Sequence, residues 1–177
     1  MSFPLAAPTL TTDRLILRAL RDADAPRIAA LANDAGVARM TTSIPHPFAL
    51  EHAEGFIARM AGNDPAREIV LAIEHRQDGL IGVLGFHPKD GPAPEFGYWI
   101  GRPFWGNGYM TEAATAALDW TRAAWKKRLV IAGYFADNPA SGGVLAKTGF
   151  LHTGVVEPRW SLARDAEAET RMMVWLA

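Results

Sequence analysis

Residues 97–125 constrain the fold more than any other part of this sequence. The segment begins in an apolar run, passes through Gly106 and Gly108, and continues with helical spacing from Thr111 to its end. Glycines permit unusual backbone dihedrals and let the chain turn sharply between two elements. Because a strand, a glycine-rich turn and a helix are followed by another strand-like run at residues 129–135, the segment indicates an α/β chain.

Short apolar runs with strand character recur along the chain. They cover residues 15–20, 68–74, 80–87, 95–100, 129–135, 150–156 and 170–176. Helices are predicted from Asp22 or Asp24 to Gly36, from about residue 49 to 62, and over residues 141–148. Residues 41–48, which contain two prolines, are predicted to form an ordered loop, and residues 163–168 a solvated turn. We therefore expect one α/β domain over residues 1–177, with a mixed sheet.

The composition excludes several classes of function. Lysine and arginine total 18 against 19 acidic residues, so any anion site has to be local and nucleic-acid binding is not expected. The absence of cysteine removes disulfides and thiolate chemistry, and the five histidines lack the spacing of a metal motif. No export signal or membrane-spanning run is recognisable. The sequence predicts a cytoplasmic protein without metal or membrane partners.

The turn around Gly106 and Gly108 could bind a ligand or could serve only as a structural turn. The first N–H groups of the following helix lack intrahelical partners, and with the helix dipole they attract a phosphate-like anion. A lone G-x-G before a helix can also form an ordinary tight turn that binds no ligand. The residues alone leave both interpretations open. Two nucleotide motifs are excluded, because the third glycine of G-x-G-x-x-G would fall at Thr111 and the G-K-[ST] triplet is missing.

Several separated blocks carry a resemblance to a known family. EFGYWIGRPFWGNGYMTEA (residues 95–113) is followed by NPAS (138–141) and VLAKTGF (144–150), and preceded by TDRLILRAL (12–20) and IPHPFALEHAEGFI (44–57). In this order the blocks resemble the GNAT acetyltransferase superfamily, in particular its ribosomal-protein N-terminal acetyltransferase-like branch. The resemblance implies a mixed, mostly antiparallel sheet that splays where two parallel strands diverge, with about four flanking helices. It also implies acetyl-CoA as co-substrate in the splay, and no metal.

The resemblance places the pyrophosphate of the co-substrate at the glycine-rich turn. The signature of the family falls on Trp105, Gly106, Asn107, Gly108, Tyr109 and Met110, with Thr111 opening the helix. Two positions depart from the family pattern. Trp105 replaces a polar residue, and Met110 stands where glycine or alanine is usual, which puts the closest approach of the ligand in question.

Glu95 and Ser141 are the catalytic candidates. The resemblance places a general base near Glu95, acting directly or through water; the alternative is a hydrogen-bonded strand glutamate. Asn138 and Ser141 fall where the family contacts CoA and protonates the departing thiolate, and both residues are also good helix caps. The family's tyrosine acid is absent from this vicinity, so Ser141 or a water is the expected proton donor, with Tyr134 as the alternative.

The acceptor is the least defined part of the hypothesis. His46 and Phe48 lie in the loop expected to roof the acceptor pocket, and Trp160 could add an apolar wall. The resemblance favours a protein or peptide N-terminal α-amino group as acceptor. A small amine such as an antibiotic, polyamine or amino acid is the first alternative, and a non-catalytic acyl-CoA sensor is the second. The exposed final strands would allow two copies to pair as a homodimer.

Overall fold

In the computed structural model, which describes residues 6–177, eight strands form one open sheet. The strands are β1 (Leu10–Thr11), β2 (Leu15–Arg18), β3 (Ile69–His75), β4 (Gly79–His87), β5 (Glu95–Ile100), β6 (Leu129–Phe135), β7 (Leu151–Ser161) and β8 (Ala166–Leu176). Their order is β1-β2-β3-β4-β5-β6-β8-β7, and every neighbouring pair is antiparallel except β5–β6. The expectation of a mixed, mostly antiparallel sheet is confirmed.

Helices cover both faces of this sheet. Five α-helices are present in residues 6–177, close to the expected four: α1 (Ala25–Ala32), α2 (Ala35–Ala38), α3 (Leu50–Ala61), α4 (Tyr109–Trp120) and α5 (Pro139–Lys147). A turn of π-helix over Thr121–Trp125 continues α4. None of the helices within residues 6–177 has the length and apolar character needed to cross a membrane.

Alternation along β4 and β5 sends side chains into two separate cores. Leu84, Phe86 and Phe96 point to one face, where they pack with α4 and α5. Val83 and Trp99 point to the other face, towards α1 and α3. The sheet therefore lies between two helical layers, and β4 and β5 contribute to both of them.

A buried ion cluster fixes the start of α1 to the sheet. Arg18 of β2 donates hydrogen bonds of 2.8 and 2.9 Å to the Asp24 carboxylate, and another to Glu74 of β3. Burial alone would raise the pKa of Asp24, but the hydrogen bonds from Arg18 and from the Arg21 N–H, together with the positive charges of both arginines, outweigh this effect, and the pKa is lowered. The charged group is thus stable in the buried position only because its partner is there.

The first helical segment differs from the prediction. Helix α1 ends at Ala32, and Gly36 lies inside the short helix α2. The carboxylate of Asp34 accepts hydrogen bonds from the N–H groups of Gly36 and Val37, which caps α2 and restarts the helix after a break at Asn33. The prediction that Gly36 ends the first helix is wrong, because the capping residue precedes the glycine.

Several other boundaries also differ by a few residues. Helix α4 begins at Tyr109 rather than Thr111, because Gly108 takes a left-handed conformation and serves as the N-cap. Helix α5 begins at Pro139 rather than Ser141. The last two strands are longer than predicted and meet in a turn at residues 162–165, narrower than the expected 163–168. Their exposed residues carry no continuous apolar pattern that would reveal this length.

Candidate active site

The sheet opens between β5 and β6. The two strands pair only at Glu95–Ile131 and Phe96–Ala132, and from Gly97 onward they part. A cleft of about 810 Å³ lies at this opening. Residues of β4, β5, β6, β7, helix α3 and the 41–48 loop line it, and so does the first turn of α5. The cleft therefore gives access from the α1–α3 face of the sheet to the face that carries α5.

The free edge of β5 suits an extended ligand that carries amides. Within residues 6–177, no strand pairs with the β6 side of β5 beyond Phe96. The N–H and C=O groups of β5 that follow Phe96 are therefore not paired with a strand on this side. Such groups require other hydrogen-bond partners when they are buried. An exposed strand edge of this kind can bind an extended ligand in the manner of an added strand.

The glycine-rich turn leads into the N-terminus of α4, and helix termini of this kind attract anions. Gly106 and Gly108 both have φ of 76°, and Gly108 is the N-cap of α4. The first bond of the helix runs from the N–H of Glu112 to the carbonyl of Gly108, at 3.0 Å. The preceding N–H groups are left pointing out of the helix at its positive end. The approach of a phosphate is open at Gly106, where even an added Cβ would meet nothing within 4 Å.

The side chains of the turn serve the protein rather than a ligand. Met110 is 5% exposed and belongs to the core beneath α4, so it leaves the backbone of the turn open. The indole N–H of Trp105 donates to the carbonyl of Ile100 at 2.8 Å. The amide of Asn107 donates to the carbonyls of Phe104 and Trp105 and closes the turn. Any contact with pyrophosphate would therefore come from backbone N–H groups, and Met110 is compatible with that.

Arg14 supports the same turn, although it is not among the site residues predicted from the sequence. Its guanidinium donates to the carbonyl of Asn107 at 3.0 Å and to Glu112 at 2.7 Å, and it lies 4.5 Å from the ring centre of Tyr109. Burial alone would raise the pKa of Glu112, but hydrogen bonds from Thr12 and Arg14 lower it. Arg14 thus neutralises the one carboxylate of the first turn of α4.

Glu95 lies in the wall of the cleft and is held by two cations. One carboxylate oxygen accepts a hydrogen bond from Arg159 of β7, and the other lies 3.1 Å from the ammonium nitrogen of Lys89. Burial alone would lower the pKa of Arg159, but the hydrogen bonds and negative charges of Glu95 and Glu157 together raise it overall. The sequence did not predict these partners, because Arg159 is brought to Glu95 by a strand 64 residues away.

Ser141 lines the cleft and lies against Tyr98 of β5. The Tyr98 hydroxyl is 2.8 Å from the Ser141 hydroxyl and donates to the Ser141 carbonyl at 2.9 Å. Burial raises the pKa of Tyr98 well above its ordinary value, so the phenol stays protonated. Asn138 caps α5 by accepting from the N–H of Ser141 at 3.3 Å, which fixes the serine in its place. Tyr98 was not predicted as a site residue.

His87 and Glu68 form a hydrogen-bonded pair beside the cleft. Neither residue was predicted from the sequence as a site residue. The imidazole Nδ1 is 2.7 Å from a carboxylate oxygen of Glu68, and His87 lines the cleft. A signal was present in the strand alternation, because His87 on β4 lies directly opposite Glu95 on β5.

The residues predicted to bind the acceptor fall in different places. Phe48 is buried and lines the cleft, and Trp160 of β7 also lines it. His46 is exposed, precedes a cis peptide bond to Pro47, and is not among the residues that line the cleft. Tyr134 lines the cleft, with its ring packed under Gly142 of α5.

Comparison with known proteins agrees with this geometry. The family model described as an acetyltransferase (GNAT) domain matches residues 14–151. The chain is 34% identical over 153 residues to YoaA, an uncharacterised N-acetyltransferase of Bacillus subtilis, covering 84% of this chain and 86% of that one. It is 28% identical over 160 residues to the ribosomal protein uS5-alanine N-acetyltransferase of Escherichia coli, covering 82% of this chain and 79% of that one.

The fold is also found among solved structures. The spermidine N-acetyltransferase of Vibrio cholerae, solved in complex with CoA and spermine, superimposes with a TM-score of 0.77 at 20% sequence identity. The alignment covers 93% of this chain and 96% of the other. Together with the family match over most of the sequence, the parted strands and the helix terminus at the glycine-rich turn lead to one assignment: the chain belongs to the GNAT acetyltransferase family.

Proposed function

We propose that this protein transfers the acetyl group of acetyl-CoA to a primary amine, and that the preferred acceptor is the N-terminal α-amino group of a protein or peptide. The observation that carries the proposal is the parting of β5 and β6, with an anion-binding turn on one side and a cleft that reaches Ser141 and Glu95 on the other. The relative from Escherichia coli, named for its action on an alanine of ribosomal protein uS5, supports this acceptor class.

The residues present fit acetyl-CoA. The N–H groups that precede Glu112 at the start of α4 would hold the pyrophosphate, and the free edge of β5 from Gly97 onward would hold the pantetheine arm. Acetyl-CoA, when bound, supplies the thioester that the amine attacks. Ser141 would give a proton to the departing sulfur, and the Tyr98 hydroxyl, which is hydrogen-bonded to the serine, would hold it in place.

The charges of the cleft disfavour an acceptor with several positive charges. Its lining contains the carboxylates Glu95 and Glu157 and the cations Arg59, Lys89 and Arg159. Both carboxylates bind Arg159, so the cleft has no surplus of negative charge for a polyamine with several ammonium groups. A small polyamine acceptor, as in the Vibrio cholerae structure, therefore fits this chain less well than a peptide N-terminus.

Mass spectrometry of reaction products tests the acceptor class. The protein is incubated with acetyl-CoA and a panel of peptides that have free N-termini, the same peptides with blocked N-termini and one lysine each, and spermidine. We expect acetylation of the free N-termini, and far less of the blocked peptides and of spermidine. Acetylation of spermidine alone would replace the peptide acceptor with a small amine.

The sensor alternative gives a different result in the same assay. A non-catalytic module would bind acetyl-CoA in calorimetry, would bind it equally well after Glu95→Gln, and would acetylate no amine in the panel. That combination would overturn the proposed function.

A further inference from the structure

We propose that His87, held in place by Glu68, is the base that takes the proton from the acceptor ammonium. The inference rests on the proposed function, because it assigns a role within that reaction. Glu95 is the candidate for this role from the sequence, and the two residues face each other across β4 and β5. Three features of the structure favour the histidine.

The first feature is the orientation of the imidazole ring. Nδ1 lies 2.7 Å from a carboxylate oxygen of Glu68, and an ionised carboxylate can only accept a hydrogen bond. Nδ1 therefore carries the hydrogen in the neutral ring, and Nε2 carries a lone pair. Among residues 6–177, no atom is hydrogen-bonded to Nε2 of His87. The ring thus offers an unused proton acceptor in the wall of the cleft.

The second feature is the place where Nε2 lies. A Cβ atom built on Gly85 would be 2.9 Å from Nε2 of His87, and one built on Gly97 would be 3.9 Å from it. These two glycines are cross-strand partners, so the ring extends over a stretch of sheet that has no side chains. Gly97 is also the first residue of β5 beyond the last pair with β6. Nε2 is therefore aimed at the point where the sheet opens.

The third feature is the state of the competing group. Both oxygens of Glu95 are engaged, one by Arg159 and one by Lys89 at 3.1 Å. A carboxylate oxygen that already binds a cation has fewer lone pairs to offer, whereas Nε2 of His87 has no hydrogen-bond partner among residues 6–177.

Glu68 is itself fixed. Its side chain is 14% exposed, Arg59 of α3 lies 3.8 Å from the oxygen that binds His87, and its backbone carbonyl accepts from Asn63. The charged groups around the ring are thus Glu68 and Arg59 on one side and, across the strands, Glu95 with its two cations. Glu68 acts through His87 and is a positioning residue.

The protons of the reaction balance with these groups. The ammonium loses one proton to Nε2, and the free amine attacks the thioester carbonyl. As the carbon–sulfur bond breaks, a second proton leaves the nitrogen and one reaches the sulfur through Ser141. The products are the amide, the CoA thiol and one proton on His87, which then passes to water.

Kinetics of two alanine variants test the assignment, with the best peptide from the panel as acceptor. We expect His87→Ala to lower kcat by about 100-fold or more, within the range that general bases contribute, and to leave the calorimetric affinity for acetyl-CoA unchanged. Added imidazole should restore part of the rate, because the missing ring leaves room beside Gly85 and Gly97. The control His152→Ala, at an exposed position of β7 outside the cleft, should retain full activity.

A second pair of variants tests the role of Glu68. Glu68→Gln should lower kcat without changing the KM for acetyl-CoA. Asp78→Asn breaks a similar contact of 2.7 Å with His75, outside the cleft, and should leave kcat unchanged. A drop of equal size in both variants would mean that Glu68 matters only for stability.

The outcomes separate the two proposals. If the wild-type protein acetylates no amine, the proposed function fails and the role of His87 fails with it. If the wild-type protein acetylates a peptide while His87→Ala keeps its kcat within about tenfold, or loses it without rescue by imidazole, only the assignment of His87 is overturned.

Discussion

The hydroxyl groups of Tyr98 and Ser141 lie 2.8 Å apart in the lining of the cleft. Tyr98 also donates to the backbone carbonyl of Ser141, so its own hydrogen bond survives the loss of the serine hydroxyl. Removal of that hydroxyl therefore tests proton transfer without leaving a buried donor unpaired.

We expect Ser141→Ala to lower kcat by about 100-fold, the lower end of the usual range for a general acid, with an unchanged thermal unfolding midpoint and acetyl-CoA affinity. Tyr134→Phe is the matched control, since Tyr134 lines the same cleft and is the alternative donor. A larger loss in Tyr134→Phe than in Ser141→Ala would assign the donor to Tyr134.

Sequence reasoning at this scale succeeds for residues in contiguous motifs and fails for residues joined by the fold. Ser141 belongs to such a motif, and the structure places it in the cleft wall. Arg159 could not be connected with Glu95, because their contact depends on the path of the last two strands across the sheet. His46 stands out by its place between two prolines, but that pattern does not determine which way the side chain points.

Among the elements, the turn between β5 and α4 depends most on two glycines. Gly106 and Gly108 adopt φ of 76°, a left-handed conformation that costs other residues about 1–2 kcal/mol. Gly79, in the turn between β3 and β4, has φ of 72° and, like Gly106, open space where a Cβ would be. The two positions therefore differ mainly in their distance from the candidate site.

We expect Gly106→Ala and Gly79→Ala to lower the free energy of unfolding by similar amounts, about 1 kcal/mol each. Only Gly106→Ala should also weaken acetyl-CoA binding, by about tenfold or more, because its methyl group would lie where the pyrophosphate approaches. Chemical denaturation and calorimetry measure the two effects. Equal affinity in both variants would show that the turn does not hold the ligand.

The order of elements was predictable because it depends on local properties of the sequence. These are the spacing of apolar residues and the positions of the glycines and prolines that end helices and strands. Residues 95–100 are predicted as a strand, and β5 has those bounds. Helix ends were less predictable, since a cap depends on which side chain reaches a free N–H group. Asp34 restarts a helix before Gly36, and Asn138 rather than Ser141 caps α5.

At the scale of the whole molecule, acid should destabilise the fold. Asp24, Glu112 and Asp137 each have a pKa that is lowered in the folded state; for Asp137 the main cause is its hydrogen bond with Arg164. A group with a lowered folded pKa stabilises the protein above its unfolded pKa, and this contribution is lost as the pH falls through the folded value.

We expect the free energy of unfolding to be constant near neutral pH and to fall below about pH 4, where unfolded carboxylates begin to bind protons. Asp24→Asn should cost about 3–5 kcal/mol at pH 7, because it leaves Arg18 buried without its main partner, and should make the acid dependence shallower. Urea denaturation at a series of pH values measures both effects. An acid dependence as steep as that of the wild type would exclude Asp24 as a contributor.

The parting of β5 and β6 has a consequence for the stability of the protein and for its rate of degradation. The two halves of the sheet share two paired positions, so a ligand seated between them would act as a missing structural piece. A ligand present at 100 times its dissociation constant adds about 2.7 kcal/mol to the stability of the form that binds it. If acetyl-CoA fills this gap, starvation for acetyl groups would leave the chain easier to unfold and to degrade, and its abundance would follow the carbon supply.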